Sequence, residues 1–192
     1  MLRPLMSEHR PERRARTLAS FAAVLLLAGC AHPPEGPARL GLRLPPAALG
    51  TAISVQQHLT VQRPGGTNDL DVALEVDAAH VGLVGLAFGQ RVLSIDYDGK
   101  ALKEWRHPML PAQVRAADVL EDLQLTLWPV DAIAQALPSG WRIEEQGLTR
   151  VLRRDGAVVA TITYGGTPRW QGTAVLDNVR YHYRLTIESA SE

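Results

Sequence analysis

The sequence predicts a mainly β fold with helices, of the α+β class: an open antiparallel half-barrel covered by two or three helices. Three observations predict it. Apolar and polar residues alternate in many short segments, as half-buried strands require. The period changes to three and four only between Ala116 and Leu137. Connections of hairpin length join the segments, and such connections pair strands antiparallel. The chain has 192 residues with 46% apolar and 5% aromatic content, which allows one ordinary globular domain and argues against disorder or a fibrous repeat.

The elements follow in order. Ile53, Val55, Leu59 and Val61 alternate, and Arg63-Pro64-Gly65-Gly66-Thr67-Asn68 ends that run. Leu70, Val72, Leu74 and Val76 resume it, with Asp69, Asp71, Glu75 and Asp77 on the opposite, solvated face. His80 to Phe88 is apolar on both faces, and Arg91 to Tyr97 ends at the hairpin signal Asp98-Gly99, with Ala101 to Arg106 returning. Ala116, Val119, Leu120, Leu123 and Leu127 then form one helical stripe, closed by Pro129. A second short helix carries Val130, Ile133, Ala134 and Leu137 and stops at Pro138-Ser139-Gly140. Strands follow at Trp141 to Glu144, Leu148 to Arg154 and Val158 to Tyr164, the last two joined by Asp155-Gly156, and a final strand is expected over Val179 to Glu188.

Residues 1–29 read as an export signal. An uncharged apolar stretch of 12 residues, Thr17 to Ala28, follows an arginine-rich start. It is shorter than the about 20 apolar residues that a membrane-spanning helix needs. It ends in Leu27-Ala28-Gly29-Cys30, which resembles the bacterial lipobox. The resemblance implies cleavage before Cys30 and a covalent diacylglyceryl group and N-acyl chain on it, with no other cofactor. Ala31, rather than Asp, next to that cysteine implies sorting to the periplasmic face of the outer membrane. Residues 30–49 are expected to be the lipidated cysteine and a Pro-rich tether, and residues 50–190 the folded domain. Cys30 is the only cysteine, so no disulfide is expected and the domain must stand on its core.

Several chemistries are excluded by what the chain lacks. Removing residues 1–29 takes away five arginines and two glutamates and leaves 15 basic against 18 acidic residues, so a nucleic-acid partner is not expected. There is no Gly-x-Ser-x-Gly, no phosphate-binding loop and no dinucleotide fingerprint. His32, His58, His80, His107 and His182 are scattered without metal-ligand spacing. The carboxylate pairs Asp69 with Asp71 and Asp96 with Asp98 read as solvated acids on a strand face and a turn. No catalytic residue and no metal site are expected.

The stretches Leu74-Glu75-Val76-Asp77, Val81 to Leu93 and Asp122 to Pro129, together with the lipobox, resemble an uncharacterised family of bacterial outer-membrane lipoproteins that often accompany aryl polyene biosynthesis genes. That family is similar in fold to the LolA and LolB lipoprotein carriers, whose helix-capped open half-barrel encloses a hydrophobic cavity. The resemblance implies a non-enzymatic, outer-membrane-anchored protein that binds or transfers a lipid-like cargo, either a lipoprotein or an aryl-polyene-type lipid. It also implies a periplasmic LolA-like carrier as a partner. Candidate cavity residues are Leu74, Val76, Tyr97 and Trp105 in the first half, with Leu123, Trp128, Tyr181 and Tyr183 in the second. The same side chains could instead fill a solid core, which would leave a structural or assembly lipoprotein acting through a surface patch.

Overall fold

The computed structural model describes residues 39–190. A 3-10 turn (Pro46–Leu49) precedes β1 (Ile53–Arg63), β2 (Gly66–Val76), β3 (Val81–Ala87), β4 (Gln90–Tyr97) and β5 (Leu102–Arg106). Helices α1 (Ala116–Leu127) and α2 (Val130–Ala136) come next. They lead to β6 (Trp141–Gln146), β7 (Thr149–Arg154), β8 (Ala157–Tyr164), β9 (Gly172–Asn178) and β10 (Tyr183–Ser189). All ten strands form one sheet in the order β5-β4-β3-β2-β1-β10-β9-β8-β7-β6, antiparallel at every pairing.

Each half is a meander, because short connections leave a strand nowhere to pair but beside its predecessor. The helical segment carries the chain from the β5 edge to the β6 edge, so the last strand returns to pair with the first. That seam runs from Gln57 opposite Ser189 to Gln62 opposite Arg184. The edges β5 and β6 have no strand partner among the described residues, an arrangement consistent with an open half-barrel. Two of the tight turns carry positive φ at both central residues, as type I′ geometry demands: Asp155 and Gly156 between β7 and β8, and Phe88 and Gly89 between β3 and β4.

The core lies between the inner face of the sheet and the helices. Leu74, Val81, Leu93 and Tyr97 from the first half meet Ile162 and Leu176 from the second, all nearly without exposure. Leu120, Leu125 and Ile133 cover them from the helical side. Helix α1 is buried on its polar side as well: Glu121 and Gln124 are almost fully covered. The cover is the segment 39–49. Gln124 exchanges two hydrogen bonds with the backbone of Leu44, at 2.9 and 3.0 Å, and the Gly41 amide donates to Glu121 at 2.6 Å.

Two expectations are corrected by these placements. Residues 39–49 are packed rather than part of a free tether: Leu42, Leu44 and Leu49 are in the core, and the Trp128 indole donates to the Pro45 carbonyl at 3.1 Å. Alternating leucines make this stretch an extended, half-buried strip despite its prolines. Residues 30–38 and Cys30 lie outside the described residues. The strand expected over Val179 to Glu188 begins only at Tyr183, because Val179 to His182 form a turn between β10 and the unanticipated β9. The Asn178 side chain accepts from the Tyr181 amide at 3.1 Å, and His182 turns with φ of 54°. Alternation of Val179, Tyr181 and Tyr183 runs straight through this turn, so periodicity alone conceals it.

Candidate functional site

Strand pleating puts residues Leu59, Val61 and Arg63 of β1 on the inner face, and the antiparallel register aligns them with Leu70 and Asn68 of β2. Toward the other end of the same face, Leu74 and Val76 meet the helices and the 39–49 segment, and the interior is solid. Toward this end nothing comparable fills the space. A cavity of about 820 Å³ remains between the ends of β10, β1, β2, β3 and β4, helix α1 and the loop that follows β5. That volume is in the about 300–1,000 Å³ range of small-molecule sites.

Most of the wall is aliphatic: Leu59, Val61, Leu70, Val72, Leu123 and Leu185 all contribute. Two apolar side chains on the rim face solvent. Phe88, at the tip of the β3–β4 turn, is fully exposed, and Met109, in the loop after β5, is 80% exposed. A phenylalanine held at φ of 51° and presented entirely to water is unfavourable locally.

Two sets of hydrogen-bonded polar groups reach the cavity from its inner wall. Gln57 donates to the Ser189 hydroxyl at 2.9 Å. Asp122 projects from α1; its Oδ2 accepts from the Tyr183 hydroxyl at 2.6 Å and its Oδ1 from Arg39 at 3.0 Å. Arg39 also lies 3.7 Å from both Glu121 and Asp118, and its guanidinium sits 4.3 Å from the centre of the Tyr181 ring. Burial pushes the Asp122 carboxyl up to about 6, against the opposing pull of Arg39 and the Tyr183 hydroxyl. The Tyr183 phenol is driven well above its ordinary value by burial and by the Asp122 charge. For Arg39, burial acts to lower the value, but Asp122, Tyr183 and Asp118 outweigh it and hold the guanidinium firmly charged. Arg63, at the end of β1, also lies over the Tyr183 ring, 5.6 Å from its centre.

Of the residues expected to line a cavity, Leu123 and Tyr183 do so. Leu74, Val76, Tyr97 and Trp128 are in the solid part of the core. Trp105 stands on the edge strand β5, 40% exposed, with Arg91 stacked 4.3 Å from its ring. Tyr181 is half-buried in the β9–β10 turn against Arg39. The sequence reading missed Leu59, Val61, Leu70 and Leu185 as lining residues. Their alternation was visible, but nothing in it tells which end of an inner face the helices will fill. Among the described residues no group of three or more His, Cys, Asp or Glu could hold a metal ion. His58 and His80 each pair with a carboxylate on the outer face, Asp71 at 2.8 Å and Asp96 at 2.9 Å.

A mainly β protein built on one open antiparallel sheet, with a pocket under its first helix, is the class these features define. Residues 54–191 match the model of a family described as "Protein of unknown function (DUF3261)", and the chain belongs to that family. No curated protein matches it. Among the described residues, no helix is long and apolar enough to cross a membrane.

Proposed function

We propose that this protein is an outer-membrane-anchored lipoprotein that binds or hands on a hydrophobic, lipid-like cargo without catalysing a reaction. The observation that carries the reading is the aliphatic cavity of about 820 Å³ with exposed Phe88 and Met109 at its rim. In this proposal Cys30 carries the acyl chains that hold the protein at the periplasmic face, and the sheet and helices form a LolA/LolB-like container. The cargo is a lipoprotein acyl chain or an aryl-polyene-type lipid, delivered by a LolA-like carrier.

The energetics favour an aliphatic occupant. Each methylene taken from water is worth about 0.8 kcal/mol, so ten of them supply about 8 kcal/mol before the costs of immobilisation. Binding and release then require no chemistry, only a difference in affinity between the pocket and the acceptor.

The test uses the full chain carrying Cys30→Ala, purified without detergent. Native mass spectrometry is expected to show co-purified lipid, and a naphthylamine polarity probe is expected to be bound and displaced by fatty acyl chains. Leu59→Trp, which places a large ring in the cavity, is expected to abolish probe binding while the protein stays folded. Folded protein that retains no lipid and binds no probe would overturn the proposal.

A further inference from the structure

Two side chains of opposite charge, Asp122 and Arg63, face inward at the cavity in different circumstances. Asp122 is satisfied by Arg39 and Tyr183. Arg63 is not satisfied. It ends β1 opposite Gly66, two residues after Val61 on the same inward face, and it borders both the main cavity and a neighbouring one of about 380 Å³. Its Nε is buried without a hydrogen-bond partner. No described acid lies within ion-pairing distance of its guanidinium, whereas Arg39, Arg150, Arg169 and Arg184 each have one. Its one noted contact is the face of the Tyr183 ring.

Asp69 and Asp71 border the cavity through the strand but carry their side chains on the outer face, and neither answers this charge. Asp71 bonds His58, and Asp69 accepts from the Thr60 hydroxyl at 2.8 Å. An arginine fork beside an aliphatic wall presents a planar set of donors suited to carboxylate or phosphate oxygens. A buried donor without a partner is costly, and a ligand oxygen would remove that cost.

Resting on the carrier reading above, we infer that the cargo is an amphiphile with an anionic head, carboxylate or phosphate, and that Arg63 is the residue that binds the head. The tail lies against Leu59, Val61, Leu70 and Leu185. Tyr183 positions the anchor: its hydroxyl is fixed by Asp122, so its ring holds the guanidinium at the wall.

The experiment measures displacement of the naphthylamine probe from the full chain carrying Cys30→Ala, using laurate, dodecyl phosphate and dodecanol. At least one anionic ligand is expected to bind about tenfold or more tightly than dodecanol, the fold-change that one charge-assisted hydrogen-bonded head provides. The two anions distinguish a carboxylate head from a phosphate head. Arg63→Gln is expected to remove that advantage and to weaken dodecanol, whose hydroxyl accepts from the same guanidinium, by much less than the anion. Arg63→Lys, which keeps the charge but not the fork, is expected to fall between. Equal binding of anion and alcohol, or an Arg63→Gln variant that is unchanged or weakens all three ligands alike, would overturn the anionic-head inference while leaving the carrier reading standing. Binding of none of the three would overturn both.

Discussion

Asp122→Asn should alter the pH dependence of stability in a way set by one buried carboxyl. In the native protein, burial holds Asp122 protonated up to about pH 6, compared with 3.8 for the free side chain. Between those values the native state binds more protons than the unfolded chain. Stability therefore falls as pH rises through this window: the contribution is complete below about pH 4 and gone above about pH 6. A difference of about two pKa units corresponds to about 3 kcal/mol, or roughly 6–12 °C in Tm for a domain of this length. Asn keeps an acceptor for the Tyr183 hydroxyl and carries no proton to lose, while Arg39 keeps Asp118 and Glu121 within 3.7 Å. Urea unfolding of both proteins, followed by circular dichroism from about pH 4 to about pH 7, isolates the effect, since every other carboxylate is common to the two. The variant should gain about 3 kcal/mol on the parent across that range. Parallel profiles would show that Asp122 is ionised throughout and that the account of its burial is wrong.

Two further outcomes test the frame and the rim. Arg150 is fully buried; its Nε and Nη2 bond Glu145 at 2.9 and 2.6 Å, and its Nη1 reaches the Leu125 carbonyl near the end of α1. Arg150→Met strands those acceptors and should cost about 3–5 kcal/mol, seen as a urea midpoint lower by about 1 M or more; an unchanged midpoint would refute the staple. Phe88→Ser combined with Met109→Ser removes only exposed side chains, so stability should move by less than about 0.5 kcal/mol. Uptake of a fluorescent acyl chain from vesicles should nevertheless slow several-fold, and unchanged kinetics would remove the rim from the pathway.

Much of the fold was legible because the governing signals were local. Alternation over Leu70, Val72, Leu74 and Val76 specifies a strand with one dry face, and β2 is that strand. The three-and-four spacing from Ala116 to Leu127 specifies a helix with one apolar stripe, and α1 has those bounds. The departures come where a local pattern meets a long-range partner. Leu42 and Leu44 sit among prolines and read as tether; they are core only because Glu121 and Gln124, about 80 residues later, supply hydrogen-bond partners for the backbone around them. A helix whose polar side carries uncharged or acidic residues that are then covered cannot be told from a solvated one by period. In β9, Ala174 and Leu176 give too short an alternation to stand out beside the longer run that follows.

The pocket was harder to read than the sheet, for a reason that bears on function. An inner strand face is uniformly apolar in sequence whether it meets a helix or an empty space, so Leu59 and Leu74 are equivalent on paper and opposite in role. What distinguishes the two ends in three dimensions is what covers them. At the closed end the interior is sealed by Trp128, whose indole is spent on Pro45, and by Leu42 and Leu44. At the open end Gln57, Asp122 and Arg63 face inward, although a solid core would favour aliphatic residues at such positions. Of these, Gln57 and Asp122 are matched by protein partners and Arg63 is matched by none among the described residues. An arginine without a protein partner beside an aliphatic wall supports the proposed amphiphile site over the reading of a solid structural module.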